Sequence, residues 1–302
     1  MKAVIAGGTG LIGRELTRLL EGRGHEIIIL TRRNGEAGGS AKAVNWLQDG
    51  ARPEKEIGYA DAFINLAGAS INAGRWNARH RKEIYESRMR ATEELLRIIA
   101  ALPQKPKVLV NASAIGIYPP SLEKTYTEQS GDLPADFLGE TVKDWENKAA
   151  EAETYGVRTA FMRFGIVLAK KEGALPLMVL PYKWYAGGTI GSGKQWVSWV
   201  HVADAARAVL FAVENEGIRG PVNVTAPNPV PMKEFGKTIG ALLHRPHWLH
   251  VPSFALKWAL GKKSSLVLEG QRAYPARLEE AGFVFRFPDL KSALEDLLKK
   301  GG

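Results

Sequence analysis

Short apolar runs alternate with amphipathic stretches through the first half of the chain. Runs rich in Val, Ile and Phe are typical of buried parallel strands. The predicted strands span Lys2 to Ala6, Glu26 to Leu30, Ala62 to Leu66, Lys107 to Asn111 and Thr159 to Phe164. The predicted helices between them span Leu11 to Gly22, Asn77 to Ala101 and Phe137 to Tyr155. Because such crossovers are right-handed, this order predicts an α/β fold with a doubly wound parallel sheet and helices on both faces.

The regular pattern ends after Leu168, where Gly and Pro residues become frequent and mark loops. A further strand is predicted over Trp196 to His201 and a helix over Ala203 to Glu214. The segment Pro221 to Pro231 is broken by turn residues. Beyond it, the sequence predicts short helices and little sheet.

Composition narrows the possible chemistry. The chain has 302 residues, 45% of them hydrophobic, and no Cys, which excludes disulfides, thiolate metal sites and a cysteine nucleophile. No segment resembles a signal peptide or a membrane-spanning helix, so we expect a cytoplasmic protein that does not bind membranes. The formal net charge is +9, but the basic residues are scattered in pairs such as Lys170-Lys171. We therefore expect a solvated basic surface and no nucleic-acid partner.

The sharpest motif is a glycine-rich turn between the first strand and the first helix. It reads Gly7-Gly8-Thr9-Gly10-Leu11-Ile12-Gly13. Glycines at this spacing permit a tight turn, a close approach of a pyrophosphate to backbone N–H groups, and close packing of the helix on the strand. The positive end of the helix dipole also favours phosphate. The position predicts a Rossmann dinucleotide-binding site; the alternative is a turn that is merely rich in Gly.

Two arginines follow the second strand, which ends as Leu30-Thr31-Arg32-Arg33-Asn34. Sites that prefer NAD place a carboxylate here for the ribose 2′-hydroxyl, and this segment has none. The hydroxyl of Thr31 and the guanidinium groups of Arg32 and Arg33 suit a 2′-phosphate, so the sequence favours NADP(H) over NAD(H). The alternative is a solvated pair of arginines in a loop.

These signals predict two domains. Residues 1–168 form an NADP-binding Rossmann domain, to which residues 196–222 return. Residues 169–302 form a smaller, mostly helical C-terminal domain that binds substrate.

Further motifs resemble the extended short-chain dehydrogenase/reductase superfamily in order and spacing. They are the glycine-rich turn, Asn65-Leu66-Ala67-Gly68-Ala69 and Asn111-Ala112-Ser113-Ala114, the last two each after a predicted strand. Downstream, the chain is similar to the atypical "epimerase family" subgroup, NAD-dependent epimerase/dehydratase-like proteins that end in a small domain of unknown function. The segments that carry this likeness are Arg163 to Leu168, Gly191 to Asp204, Asn223 to Pro229 and Pro275 to Leu278. The resemblance covers essentially the whole chain.

The resemblance implies the cofactor contacts. It places Gly7, Gly10, Leu11, Ile12 and Gly13 at the pyrophosphate, Thr31, Arg32 and Arg33 at the adenosine phosphate, Leu66, Ala67 and Gly68 at the adenine-side ribose, and Phe164, Gly165, Ile166 and Val167 at the nicotinamide. Ser113 matches the superfamily's catalytic Ser or Thr, whose hydroxyl hydrogen-bonds a substrate carbonyl or alcohol next to the nicotinamide. The alternative for Ser113 is a strand-end Ser that satisfies a turn.

The chain departs from the superfamily at two catalytic positions. The superfamily pairs a Tyr with a Lys four residues later on one helix face, and none of the eight tyrosines here has a Lys at that spacing. Counted from Ser113, the Tyr position falls on Gly139 and the Lys position on Lys143. The superfamily's helix Asn is replaced by Arg88. Lys143 either holds the nicotinamide ribose or is an ordinary surface residue.

The proton donor and the substrate contacts are open. Glu140, Tyr118 or an acidic group of the substrate are candidates for proton transfer. The segment Gly187 to Trp199 is rich in Gly and Trp, and we expect it to close over a small anionic or sugar-like substrate. The residues expected opposite are Arg75, Trp76 and Arg88. The predicted substrate contacts are thus Arg88, Tyr118 and Trp199, unless the tryptophans belong to the core between the domains.

No metal site is predicted. His244, His247 and His250 recur at three-residue spacing, but Pro246 interrupts the helix that would align their rings, and no nearby carboxylate completes the set.

Two hypotheses follow for the function. The first is an NADP(H)-dependent oxidoreductase or epimerase-like enzyme that acts by hydride transfer on a small carbonyl, alcohol or sugar-type substrate, with Ser113 and Lys143 at an atypical active site. The second is a non-catalytic NADP(H)-binding protein, a redox sensor or assembly partner, which the missing Tyr supports. The resemblance also implies a homodimer that pairs through the helices at Asn77 to Ala101 and Phe137 to Tyr155.

Overall fold

The chain is built around one parallel sheet. The computed structural model describes residues 1–32, 39–74, 76–132 and 136–299. Its strands are β1 (Lys2–Ala6), β2 (Glu26–Thr31), β3 (Lys42–Asn45), β4 (Ala62–Asn65), β5 (Val108–Ala114), β6 (Thr125–Tyr126), β7 (Arg158–Phe164), β8 (Ile166–Leu168), β9 (Gly188–Ile190), β10 (Trp196–Val197), β11 (Trp199–His201), β12 (Gly220–Val224), β13 (Val230–Pro231), β14 (Leu249–Val251) and β15 (Arg272–Ala273). Its α-helices are α1 (Leu11–Glu21), α2 (Pro53–Ile57), α3 (Ala78–Ala101), α4 (Phe137–Ala150), α5 (Leu175–Lys183), α6 (Val202–Glu214), α7 (Met232–Leu243), α8 (Ser253–Leu260), α9 (Ser265–Leu268), α10 (Ala276–Glu280) and α11 (Leu290–Lys299). Short 3-10 helices cover Ile115–Ile117, Glu151–Tyr155 and Gly261–Ser264.

The central sheet has the strand order β12-β7-β5-β4-β1-β2-β3 over the described residues, and each neighbouring pair is parallel. The chain runs from β1 to β2 and β3 on one side, and then to β4, β5, β7 and β12 on the other. The strand order therefore reverses between β1 and β4. In such sheets, ligands bind in the crevice outside the carboxyl ends of the strands at this reversal. The predicted doubly wound Rossmann-type sheet is confirmed.

Helices cover both faces of this sheet. Leu16 of α1 and Val209 of α6 pack with Ile5 and other strand residues in one buried cluster. On the opposite face, Leu95 of α3 packs with Val4 in a second cluster. Because successive strand residues point to opposite faces, both sides of the central strands are apolar.

A third buried cluster lies in the C-terminal half. Leu175 of α5, Phe235 of α7 and Leu294 of α11 contribute to it. The C-terminal part is mostly helical, as predicted. Short strands outside the central sheet form the pairs β6 with β15, β8 with β11, β9 with β14 and β10 with β13. The division of the chain at residue 168 stays a prediction.

Some strands differ from the sequence prediction. The sequence does not predict β3, because only Ala43 and Val44 are apolar among its four residues. The prediction of a broken segment from Pro221 onward is wrong at β12, which is an edge strand of the central sheet. An edge strand tolerates Pro221 because one row of its backbone groups needs no partner strand. The strand predicted over residues 196–201 is divided into β10 and β11, which pair with β13 and β8 and not with the central sheet.

The predicted helices of the first half are present with shifted ends. Asn77 caps α3, since its side-chain oxygen accepts the His80 N–H at 2.8 Å. The helix predicted to reach Tyr155 ends as an α-helix at Ala150 and continues as a 3-10 helix. None of the described helices combines the length and the apolar character needed to cross a bilayer.

Candidate functional site

The glycine-rich turn follows the carboxyl end of β1, where the strand order reverses. Gly7 has φ +81°, and a methyl group built on it would lie 2.6 Å from the carbonyl carbon of Leu66. A methyl group on Gly13 would overlap the carbonyl oxygen of Gly7 and lie 2.7 Å from the Cα of Gly8. The Gly10 N–H donates to that same Gly7 oxygen at 2.9 Å. Backbone atoms therefore exclude side chains at Gly7 and Gly13, which leaves the turn bare.

The helix that follows, α1, begins with open backbone donors. Its N-cap residue, Gly10, has no side chain to accept from the first turn, and that turn contains no acidic residue. Gly10 is exposed, and Leu11 and Ile12 are half-buried. The first N–H groups of a helix have no partner within the helix and carry the positive end of its dipole. A bare turn with uncapped N–H groups fits the pyrophosphate of a dinucleotide.

The predicted 2′-phosphate site begins beside this turn. Thr31 ends β2, the parallel neighbour of β1, so it borders the glycine-rich turn. Arg32 is exposed, and its carbonyl oxygen accepts a hydrogen bond from Gln48 Nε2 at 2.6 Å. Arg33 lies outside the described residues.

The segment after β4 forms the other wall of the crevice. The Leu66 N–H donates to the Ala6 carbonyl at 2.8 Å, which ties the end of β4 to the end of β1. Ala67 is half-buried and Gly68 is exposed. A methyl group on Gly68 would lie 3.2 Å from Cζ of Arg88. The structure thus brings the predicted contacts of residues 66–68 next to the glycine-rich turn.

A buried polar layer beneath this segment was not predicted from the sequence. Asn65 Nδ2 donates to the side-chain oxygen of Asn111 at 2.7 Å and to Thr92 Oγ1 at 3.1 Å. Trp145 Nε1 donates to the same Thr92 hydroxyl at 3.0 Å. The Ala67 N–H donates to Asn65 Oδ1 at 3.2 Å. These bonds fix the segment after β4 to α3 and α4, and their sequence signal is an Asn in each of two apolar strands.

Residues 164–167, the predicted nicotinamide contacts, connect β7 to β8 at the same edge of the sheet. The Gly165 N–H donates to the Val224 carbonyl at 3.1 Å, and the Ile166 N–H donates to the Ser198 carbonyl at 2.8 Å. A methyl group on Gly165 would overlap the Ser198 carbonyl oxygen. Val224 of β12 and Ser198, between β10 and β11, therefore hold this segment on both sides.

Ser113 lies on β5 beside Arg163 of β7. Its hydroxyl donates to Glu146 Oε1 at 2.5 Å. The same carboxylate accepts two hydrogen bonds of 2.8 Å from Arg163, one from Nε and one from Nη2. Ser113 is only 4% exposed, and Glu146 and Arg163 are also buried. Because the Ser113 proton points to Glu146, its oxygen has lone pairs left to accept a hydrogen bond.

Glu146 is the main residue of this site that the sequence analysis missed. It lies on α4, and its helical spacing from the buried residues Val142 and Ala149 is the signal that places a carboxylate on the inner face. Burial acts to lower the pKa of Arg163, but the hydrogen bonds and charge of Glu146 outweigh burial and the net shift is upward. The pair is a bidentate ion pair held in fixed geometry.

The structure corrects the assignment of Tyr118 to the substrate site. Tyr118 is fully buried, and its hydroxyl accepts a hydrogen bond from Arg163 Nη1 at 2.9 Å. The same hydroxyl lies 2.9 Å from Asn223 Oδ1 and 3.0 Å from the Thr127 carbonyl oxygen. Burial raises the pKa of Tyr118, so the phenol stays protonated at neutral pH. Tyr118 therefore helps to hold the Arg163 guanidinium in place through this hydrogen bond, and its buried side chain does not face the crevice.

The predicted Tyr and Lys positions lie on α4. Gly139 is buried, and its N–H donates to Asp136 Oδ1 at 2.7 Å, the N-cap of the helix. Lys143 is exposed, about one turn before Glu146. Glu140 is exposed as well. The catalytic role of Lys143 stays a prediction.

Arg88 extends from α3 to the segment after β4. Its Nη1 donates to the Ala69 carbonyl at 3.2 Å, and its Cζ lies 5.0 Å from the centre of the Trp145 ring. Burial lowers the pKa of Arg88 to about 10. Of the residues expected near it, Arg75 lies outside the described residues, and Trp76 donates its indole N–H to the Ile71 carbonyl at 2.8 Å.

The structure also corrects the assignment of Trp199 and the segment before it. Trp199 is fully buried in the C-terminal cluster, and its indole N–H donates to the Asn228 carbonyl at 3.2 Å. Gln195 is buried too, with its Nε2 donating to the Ile190 carbonyl at 3.1 Å. The segment predicted to close over a substrate contains β9, β10 and the start of β11. Trp199 is thus a core residue rather than a substrate contact.

Of the three histidines near the end of α7, His247 has two side-chain partners. His247 Nδ1 lies 2.8 Å from the Tyr182 hydroxyl, and its Nε2 lies 3.0 Å from Thr189 Oγ1. Across residues 1–299, apart from those that the structure does not describe, no group of three or more His, Asp or Glu side chains is arranged to hold a metal ion.

Family comparisons agree with this geometry. A model of the NAD dependent epimerase/dehydratase family matches residues 3–225. The chain belongs to the NAD dependent epimerase/dehydratase family. A second model, of a domain of unknown function (DUF1731), matches residues 251–297. The resemblance predicted from the motifs, an epimerase family protein with such a C-terminal domain, is confirmed.

Relatives in this family match the chain over its length. Epimerase family protein YfhF of Bacillus subtilis (strain 168) is 51% identical over 299 residues, which are 99% of this chain and 98% of the relative. The crystal structure of human epimerase family protein SDR39U1 (isoform 2) with NADPH is 33% identical with a TM-score of 0.88, and the match covers 99% of this chain and 100% of that chain. The nucleoside-diphosphate sugar epimerase from Corynebacterium glutamicum is 31% identical with a TM-score of 0.79, over 99% of this chain and 58% of that chain.

Proposed function

We propose that this epimerase family member is an NADP(H)-dependent oxidoreductase or epimerase-like enzyme. It acts by hydride transfer on a small carbonyl, alcohol or sugar-type substrate. The observation that carries the proposal is the bare glycine-rich turn and uncapped start of α1 at the reversal of strand order. The NADPH in the crystal structure of human SDR39U1 supports NADP(H) as the cofactor. Thr31, Arg32 and Arg33 supply a hydroxyl and positive charge for the 2′-phosphate.

In our proposal, separate segments of the chain bind the pyrophosphate, a ribose and the nicotinamide. The N–H groups at the start of α1 bind the pyrophosphate, residues 66–68 border a ribose, and residues 164–167 lie at the nicotinamide. When bound, the nicotinamide supplies the hydride donor or acceptor. The remaining chemistry is proton transfer. No Tyr stands at the expected position, so in our proposal other residues of the chain transfer the proton.

Ser113 and Glu146 provide that proton transfer in our proposal. The Ser113 hydroxyl already donates to Glu146 Oε1, so Ser113 Oγ accepts a hydrogen bond from a substrate hydroxyl. In the oxidation direction, the substrate O–H proton moves to Ser113 Oγ while the Ser113 proton moves to Glu146 Oε1. In the reduction direction, both protons move back. Arg163 holds the carboxylate in place through its two hydrogen bonds.

Turnover by Ser113 variants tests the catalytic part. NADPH absorbance is followed while the protein is mixed with a panel of small carbonyl and sugar-nucleotide compounds. We expect wild-type protein to consume NADPH with at least one compound, and Ser113→Ala to lose about 10²–10⁴-fold in kcat because the proton path is broken. NADPH affinity should not change in this variant. Unchanged turnover in Ser113→Ala contradicts the assignment of Ser113.

A non-catalytic NADP(H)-binding protein is the second candidate function. Gly139 at the expected Tyr position and the burial of Tyr118 favour it, because neither residue presents a phenol to the crevice. This candidate predicts tight NADPH binding without turnover of any panel compound. A redox sensor of this kind also has different affinities for NADPH and NADP, which calorimetric titration with each nucleotide measures.

A further inference from the structure

Arg88 on α3 has no role in the reaction proposed above. Its Nη1 donates to the carbonyls of Ile84 at 2.8 Å and Ala69 at 3.2 Å. Its Cζ lies 5.0 Å from the centre of the Trp145 ring. A methyl group on Gly68 would lie 3.2 Å from the same Cζ. The guanidinium is therefore held between α4 and the segment after β4.

The charge of Arg88 faces only neutral groups among the residues that the structure describes. Arg163, which is buried beside the sheet, differs because the Glu146 carboxylate lies 2.8 Å from it. Burial lowers the pKa of Arg88 to about 10, which still leaves it charged at neutral pH. A partly buried charge without a counterion is costly, and a bound anion offsets part of that cost.

Arg88 also has hydrogen-bond donors left for a ligand. A guanidinium has five N–H donors, and the hydrogen bonds of Arg88 within the described ranges use Nη1 alone. Nε and Nη2 together form the fork that binds a carboxylate or phosphate through two parallel hydrogen bonds. The Trp145 ring and the two carbonyls hold this fork in one orientation, which lowers the entropy lost on binding.

The fork lies beside the proposed cofactor segment. Gly68 belongs to the segment that borders the cofactor in our proposal. Trp145, on which the guanidinium stacks, directly precedes Glu146, the hydrogen-bond partner of Ser113. An anion bound to Arg88 therefore lies beside the cofactor segment and near α4, the helix that also carries Glu146.

We propose that Arg88 binds a carboxylate or phosphate group of the substrate through a bidentate pair of hydrogen bonds. This inference rests on the proposed function, because it takes the crevice beside residues 66–68 as the substrate site. It defines the substrate as a carbonyl or alcohol compound that also carries a carboxylate or phosphate group. A phosphate of the cofactor has the same chemistry, and the experiment separates the two sources.

Anion titrations of the NADPH complex test the inference without turnover. NADPH-saturated protein is titrated with malonate, inorganic phosphate or neutral acetamide at constant ionic strength while NADPH fluorescence is recorded. We expect a saturable response to malonate or phosphate and none to acetamide. Arg88→Gln should weaken that response by about tenfold or more and leave the Kd for NADPH within about twofold of wild type. Arg90→Gln, at an exposed position of the same helix, is the matched control and should behave as wild type.

A conservative variant keeps the test decisive if Arg88→Gln does not fold. Arg88→Lys keeps the charge but loses the planar fork. We expect its anion response to be roughly threefold to tenfold weaker than in wild type, with NADPH affinity unchanged. Circular dichroism spectra of the variants check that each one is folded.

Other outcomes overturn the assignment of Arg88 to a substrate anion. No anion response in the wild-type complex, or a response that survives in Arg88→Gln, overturns the inference. Loss of NADPH affinity in Arg88→Gln together with no anion response assigns Arg88 to a cofactor phosphate and overturns the substrate assignment.

The absence of NADPH binding in wild type overturns the proposed function instead. The melting temperature of the nucleotide-free protein, measured with and without malonate or phosphate, then tests the anion site. Stabilisation that Arg88→Gln removes supports the site, and the absence of stabilisation overturns it.

Discussion

At the level of single residues, the cofactor site depends on two glycines, Gly7 and Gly13, that have no side chain. Gly7 and Gly13 each face backbone carbonyl groups, so backbone atoms already occupy the space that a side chain would fill. Flexible side chains move aside at low cost, but backbone atoms at a strand end do not. A single added methyl group is therefore enough to change the turn.

Gly13→Ala tests this directly. The new methyl group would overlap the Gly7 carbonyl oxygen and lie 2.7 Å from the Gly8 Cα. We expect the turn to open, at a cost of about 1–3 kcal/mol, and NADPH affinity to fall by about tenfold or more. Gly22→Ala is the control at the other end of α1, where φ is −61° and the methyl group would lie an ordinary 3.4 Å from the Arg18 carbonyl. Calorimetric titration measures the NADPH affinity of both variants. Equal losses of affinity in Gly13→Ala and Gly22→Ala contradict the role of Gly13.

Glu146→Gln tests the buried ion pair. The variant keeps the shape of the side chain but leaves the charge of Arg163 buried without a partner, which costs about 3–5 kcal/mol in free energy of unfolding. The double variant Glu146→Gln with Arg163→Met removes both charges and should recover at least half of that loss. Urea unfolding measures the three proteins. A double variant that is no more stable than the single variant would falsify the ion-pair account.

The same residues show how far sequence reasoning reaches. The spacing of Gly7, Gly10 and Gly13 locates the turn because the contacts that shape it, among residues 7–13, are local. Glu146 is harder to find, since its partner Ser113 is 33 residues away and is defined only when α4 packs on the sheet. Tyr118 bonds across 105 residues to Asn223, and its burial depends on that distant strand. A sequence does not show which side of a polar residue the fold will cover.

At the scale of elements, α6 depends on an unusual N-cap. His201 Nδ1 accepts the Ala203 N–H at 3.1 Å, which requires that this nitrogen carry no proton. Burial lowers the pKa of His201 and outweighs the opposing charge of Asp296, whose Oδ2 lies 3.4 Å from Nε2. Because the pKa is lowered in the folded state, this stabilisation is fully present above the ordinary pKa of 6.5 and is lost as pH falls through the folded value.

We therefore expect the urea midpoint of the wild type to fall as pH drops below 6.5. His201→Asn keeps a side chain that caps helices and does not titrate, so its midpoint should fall less over the same range. Urea unfolding at a series of pH values compares the two. Parallel curves for wild type and variant contradict the role of His201, since the other histidines are the same in both.

The two strands of the central sheet that the sequence did not predict share a physical cause. β3 and β12 are the two edges of the central sheet, whereas the five strands between them were predicted. Edge strands pair on one side only and are less enclosed, so they tolerate short length, polar residues and Pro. Central strands are covered on both faces and need continuous apolar runs, which a sequence shows plainly.

At the scale of the whole molecule, the topology gathers the candidate site. The glycine-rich turn, residues 66–68, Ser113 and residues 164–167 come from four separated parts of the chain, and each follows or lies near the carboxyl end of a parallel strand. Carboxyl ends of parallel strands meet at one edge, so one fold-level rule predicts this meeting. The predicted homodimer and the division into two domains stay predictions.

The net charge of the molecule has a consequence for binding. A formal charge of +9 attracts a polyanionic cofactor at long range, and salt screens that attraction. Contacts to a 2′-phosphate differ from this long-range attraction, because they make the affinity for NADPH higher than that for NADH at any one salt concentration.

Calorimetric titration of cofactor-stripped protein with NADPH and NADH at one ionic strength tests the cofactor site and its preference for NADPH. The same titrations are repeated on the double variant Arg32→Asp with Arg33→Ala. Wild type should bind NADPH about tenfold or more tightly than NADH, because the guanidinium groups pair with the 2′-phosphate. The double variant should lose most of its NADPH affinity and little of its NADH affinity. Equal losses for both nucleotides contradict the 2′-phosphate assignment, and no binding of either nucleotide to wild type contradicts the cofactor site itself.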